Sequence, residues 1–132
     1  MTLRSNLWPA LLGALALAAP AARAADNPSA HRDCFLSNDW HGWSAPGDGD
    51  VIYLRVRIND IWRAELTPGS HVRKYPDEFL VNRVRGSSYI CSPLDLDLTL
   101  SDRHGMRRGL IVRSLRKLTP QEIAAIPKKD LP

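Results

Sequence analysis

The sequence predicts a mainly β fold, a small antiparallel barrel or curled sheet of about five to seven short strands with a short C-terminal helix. Three observations carry this. Apolar and polar residues alternate over residues 51–58 and again over 94–100, the period of a half-buried strand. Glycine, proline and asparagine clusters break the chain at short, regular intervals. Near the end, Thr119, Pro120 and Glu122 stand as N-cap, first helical residue and capping-box acid.

The first 24 residues read as an export signal rather than as fold. Arg4 precedes an apolar run over residues 7–19, Pro20 breaks it, and Ala22 and Ala24 supply the small side chains a signal peptidase reads. That run is shorter than the ~18 residues needed to span a bilayer. Cleavage is expected after Ala24, with no cysteine following to take a lipid. Residues 25–33 then form a flexible leader, and residues 34–132 a single β-rich domain with a helical turn near 120–126. Loss of Arg4 and Arg23 lowers the net charge from +4 to about +2.

Cys34, Phe35 and Leu36 suggest a first short strand. Residues 37–50 are dense in turn formers and read as a loop carrying Trp40 and Trp43. Ile52, Leu54, Val56 and Ile58 share one face of the next strand, and Trp62, Ala64 and Leu66 one face of its partner. A two-residue turn would mix core and solvent faces, whereas a three-residue loop sets Ile58 opposite Trp62, Val56 opposite Ala64 and Leu54 opposite Leu66. Arg55 then faces Glu65. Thr67, Pro68, Gly69 and Ser70 close the hairpin, and Tyr75, Pro76 and Asp77 mark a bend. Residues 79–85 form a weaker strand with Phe79 and Val81 on one side, and a turn at Gly86, Ser87 and Ser88 leads to an extended piece at 89–91. Leu94, Leu96, Leu98 and Leu100 form a strand ladder, residues 101–105 a turn and residues 110–118 a last strand. The helix that follows is expected to plug one end of the sheet or to cover an edge.

Composition limits the chemistry. The chain has 132 residues, 44% hydrophobic and 24% charged, which fits one globular domain and excludes a multidomain enzyme or a multispan membrane protein. With two cysteines in an exported chain, an intramolecular Cys34–Cys91 disulfide is the leading expectation. The alternative is a metal site drawing on His31, Cys34 and His41, but no fourth ligand is evident, so no metal or cofactor is expected. Asp102 and His104 share a turn, yet no GxSxG elbow marks a nucleophile, and Ser87 and Ser88 sit in an ordinary turn sequence. The acid pairs Asp48/Asp50 and Asp95/Asp97 read as solvated faces. Arg103, Arg107, Arg108, Arg113, Arg116 and Lys117 make a basic stretch without interleaved aromatics, again a solvated face, and nucleic acid is not expected as a partner. Trp40, His41 and Trp43 form the most unusual local cluster, suited to ligand binding or to packing over the mouth of the sheet.

Cys34-Phe35, residues 40–43, the 51–66 hairpin, Arg85-Gly86-Ser87, the Ile90-to-Asp95 run and the Leu118-to-Glu122 run together resemble a proteobacterial group of small exported proteins, the domain of unknown function DUF 6491. The resemblance spans most of residues 33–128. Members often carry a second cysteine pair, at positions falling near Ser70 and Leu110 here. Joint absence of that pair is what loss of one whole disulfide looks like, which supports joining Cys34 to Cys91. The resemblance implies no catalytic residues.

The expected function is thus a non-enzymatic, exported, periplasmic β domain, a monomer, that binds an unidentified protein or small molecule or serves the cell envelope. Two rivals stand beside it. One is a secreted enzyme inhibitor presenting the 40–43 loop, and the other a small hydrolase using Asp102 and His104.

Overall fold

The structure is a computed structural model describing residues 33–72 and 77–132. The export signal, the leader up to residue 32, His31 and the bend at Tyr75 and Pro76 lie outside the described residues. Within them the chain is mainly β, with nine strands and one short helix. In order these are β1 (Phe35–Leu36), β2 (Trp40–Ser44), β3 (Val51–Val56), β4 (Asp60–Leu66), β5 (Phe79–Asn82), β6 (Tyr89–Ile90), β7 (Leu98–Ser101), β8 (Arg107–Leu110), β9 (Val112–Lys117) and α1 (Pro120–Ala125). They make three antiparallel sheets, ordered β2-β3-β4-β9, β5-β7-β8 and β1-β6, which curl without closing into a barrel.

All three sheets contribute to one core. Ile52, Leu54 and Val56 of β3 are wholly buried, and each stabilises the fold by about 1.5–3 kcal/mol relative to an exposed position. Trp62, Ala64 and Leu66 of β4 join them, with Leu98 and Leu100 of β7, Leu110, Val112, Phe35 and Ile90. The Phe35 and Trp62 rings meet at 4.8 Å between centroids, tilted by 55°.

The β3–β4 hairpin has a three-residue loop, but two residues earlier than the sequence suggests. Arg57, Ile58 and Asn59 form it, so Val56 pairs with Asp60, Leu54 with Trp62, Ile52 with Ala64 and Arg55 with Ile61. Ile58 is therefore 85% exposed at the tip instead of lying in the core. The cause is tertiary. Arg57 adopts a left-handed φ of 56°, unusual for arginine. Its backbone N–H donates to the Asp39 carbonyl at 2.7 Å, and its guanidinium reaches the Asp39 carboxylate at 3.1 Å and Asp60 at 3.9 Å.

Three further elements depart from expectation. The 37–50 loop contains β2, because Trp40, Trp43 and Ser44 find a ladder on β3 that outweighs the local turn formers. The leucine ladder is a strand only from Leu98. Leu94 is 95% exposed in a 3₁₀ turn over Pro93–Asp95, where the Asp95 carboxylate accepts from the Cys91 and Ser92 amides at 2.9 and 2.8 Å. Those bonds, led by Cys91, hold the Asp95 carboxyl below the usual aspartate range. The last strand is two: β8 belongs to the three-stranded sheet and β9 to the four-stranded one, with exposed Ile111 at the crossing.

The helix starts as its sequence predicts. Thr119 Oγ1 accepts the Glu122 amide at 3.3 Å, and Glu122 accepts the Thr119 amide at 2.9 Å. The helix meets the β9 edge of the four-stranded sheet through Glu122 and Arg116, and the residues after it meet the β2 edge. Ser44 on β2 donates its hydroxyl to the Asp130 carbonyl at 2.5 Å, and a side chain at Gly42 would meet the Pro132 carbonyl carbon at 3.9 Å.

Candidate functional site: a groove between two sheet edges

Strand β2 is one edge of the four-stranded sheet, and β5 one edge of the three-stranded sheet. Between them runs an open groove of about 370 Å³. Ser37, Asn38, Trp40, His41, Gly42 and Trp43 line one side, and Leu80, Asn82 and Val84 the other.

A β-bulge builds the first wall. Residues three apart on a regular strand point to opposite faces, so Trp40 and Trp43 should diverge. The register slips between Trp40, opposite Val56, and Gly42, opposite Arg55, which leaves His41 as the extra residue. Trp43 then lies opposite Leu54, and both indoles come to the inner face. Both are partly buried against the core while lining the groove, and His41 is exposed beside them. The Trp40 indole N–H donates to the Gly42 carbonyl at 2.7 Å, fixing the ring.

The second wall follows from the alternation of β5. Leu80 and Asn82 point inward, while Phe79 and Val81 are exposed on the other face. Asn82 Oδ1 accepts the Asp97 amide at 3.0 Å, which orients the carboxamide. Sequence reasoning singled out Trp40, His41 and Trp43 but missed Leu80, Asn82 and Val84. Only the edge-to-edge placement of two sheets brings these to the tryptophans.

The other candidates take structural positions. Cys34 and Cys91 form a disulfide that encloses a sequence separation of 57 residues. Its neighbours Phe35 and Ile90 are paired across β1 and β6. Asp102 Oδ1 accepts the backbone amides of His104 and Met106 at 2.9 and 2.8 Å, so this carboxylate shapes the β7–β8 turn. Ser87 Oγ likewise accepts the Tyr89 amide at 3.1 Å. Asp95 and Asp97 make no joint patch: Asp97 faces Arg85 at 2.8 Å and Arg83 at 3.9 Å. Asp50 meets His71.

In the basic stretch, Arg103, Arg108, Arg113, Arg116 and Lys117 each lie within 4.0 Å of a carboxylate, from Asp77, Glu78, Glu65, Glu122 and Asp60 respectively. Glu65 bridges Arg63 and Arg113. Its carboxyl is held below the usual glutamate range, first by the Ser114 hydroxyl and then by these guanidinium charges.

Among the described residues no group of three or more His, Cys, Asp or Glu side chains is placed to hold a metal ion, and no helix is long and apolar enough to cross a membrane. The chain matches no family model, no curated protein and no solved structure.

Proposed function

We propose that the chain is an exported, non-catalytic binding domain, of the kind gathered in DUF 6491, working in an oxidising compartment such as the periplasm. Its ligand site is the groove between β2 and β5. The observation that carries this reading is the gathering of Trp40, His41 and Trp43 by a β-bulge opposite Leu80 and Asn82. Bulges recur where a strand must re-aim side chains for a site, and ligand sites commonly combine aromatic walls with a few fixed polar groups. The Cys34–Cys91 disulfide and the signal-like first 24 residues support export.

The test has two parts. Mass spectrometry on fractionated cells should find the protein in the periplasmic fraction with Ala25 as the first residue and no free thiol; intact Met1 with two thiols in the cytoplasmic fraction alone would overturn export. Immobilised protein should retain an envelope component that an His41→Ala, Asn82→Asp double variant releases. Equal retention by both would remove the groove from the proposal.

A further inference from the structure

We infer that the groove is a subsite for an uncharged saccharide. This rests on the binding reading above and names its ligand class. Three features of the lining select it.

The first is charge. None of the nine lining residues is Asp, Glu, Lys or Arg, although these four make up 24% of the chain. A charge on a ligand seated there would meet no counter-charge among the lining side chains while losing part of its hydration, which favours a neutral ligand. The second is the pairing of flat rings with short polar groups. Trp40 and Trp43 line the groove and supply the aromatic surface on which the C–H face of a pyranose packs, while Ser37, Asn38, His41 and Asn82 can exchange hydrogen bonds with hydroxyls at the ring's rim. Asn82 is already oriented, because the Asp97 amide occupies its oxygen and leaves its NH₂ as the donor. The third distinguishes a sugar from an extended peptide. Strand addition needs a regular, open row of backbone groups. Here the bulge at His41 breaks the row, and the Trp40 indole occupies the Gly42 carbonyl. The groove's volume of about 370 Å³ suits a mono- or disaccharide rather than a polymer chain's full length.

The test is titration of the purified protein with neutral disaccharides and trisaccharides of glucose and of N-acetylglucosamine, followed by tryptophan emission and by saturation-transfer NMR. The expected result is saturable binding by at least one series. Asn82→Asp keeps the acceptor for the Asp97 amide and removes the donor, and it should weaken binding about tenfold. Trp43→Phe keeps an apolar ring against the core and should weaken binding by a similar factor. Circular dichroism and denaturant midpoints check that both variants fold. No binding by any of these sugars, or binding that neither folded variant weakens, overturns the inference. A protein or peptide ligand that both variants release would also overturn it, while leaving the binding reading intact. Absence of any groove-dependent ligand would remove both.

Discussion

Ser44 on β2 and Asp130 in the C-terminal tail are 86 residues apart in sequence, and the Ser44 hydroxyl donates to the Asp130 carbonyl at 2.5 Å. Ser44 is only 5% exposed, so the tail closes over this edge of the four-stranded sheet. Replacing it by alanine leaves a carbonyl without its donor where water has little access. The expected cost is about 1 kcal/mol. It should appear in Ser44→Ala as a lower urea midpoint with an unchanged slope. A changed slope would instead mean that the tail detaches before the core unfolds.

The disulfide secures a pairing too small to hold itself. Strands β1 and β6 pair through two residues each, Phe35 with Ile90 and Leu36 with Tyr89, yet Phe35 and Ile90 are among the most buried side chains. Cys34 and Cys91 join the chain immediately before Phe35 and after Ile90. In the chain-entropy description a loop of this length contributes about 4 kcal/mol, and measured bridges commonly give less. Reduction, or the Cys34→Ala, Cys91→Ala pair, should therefore cost about 2–4 kcal/mol. A thermal melt with and without reductant checks it, and amide exchange should rise first at Phe35 and Ile90.

Much of the fold was legible because the strongest signals are local. The inner face of β3 follows from alternation alone, and the start of α1 from Thr119, Pro120 and Glu122. What escaped depends on distant partners. The hairpin turn at Arg57 needs Asp39 to hold an arginine left-handed, which no neighbouring residue announces. The β2 bulge depends on its ladder with β3, so residues 40–43 read as loop. The leucine ladder misled for the opposite reason: a local capping carboxylate, Asp95, overrides the alternation at Leu94. Half of the candidate site was visible as an aromatic cluster. The other half, Leu80 to Val84, reads only as part of a weak strand and becomes meaningful as a wall only across the groove.

Glu122 gives the chain a defined acid sensitivity. The Arg116 guanidinium bonds to it at 2.8 and 2.9 Å and the Thr119 amide at 2.9 Å, and together they lower its carboxyl from an ordinary 4.5 to about 2. A depressed carboxyl stabilises the folded chain above its unfolded value, and that contribution disappears as pH falls from about 4.5 towards 2. The carboxylate is exposed, so salt should weaken the effect. NMR titration of the Glu122 side chain should show the low midpoint, rising in Arg116→Gln. Glu122→Gln should flatten the acid limb of the stability curve and loosen the start of α1.

Gly49 is a position where the backbone itself forbids a side chain. Its φ is +81°, and it is buried in the turn between β2 and β3. The Val72 amide donates to its carbonyl at 2.9 Å, which draws the Val72 backbone over the place a Cβ would occupy. A methyl there would run into the Val72 carbonyl group and amide nitrogen. Gly69 has a similar φ of +94° but nothing within 4 Å of the corresponding point. The pair separates two effects. Gly69→Ala should cost about 1 kcal/mol for the left-handed backbone alone. Gly49→Ala adds the collision and should cost about 3 kcal/mol or more, since rigid backbone cannot give way as a side chain tip can. Matched urea titrations decide it. Equal losses in the two variants would mean that the segment at Val72, in the connection after β4, moves aside freely, and that the 49–72 contact does not tie the β2–β3 turn to that connection.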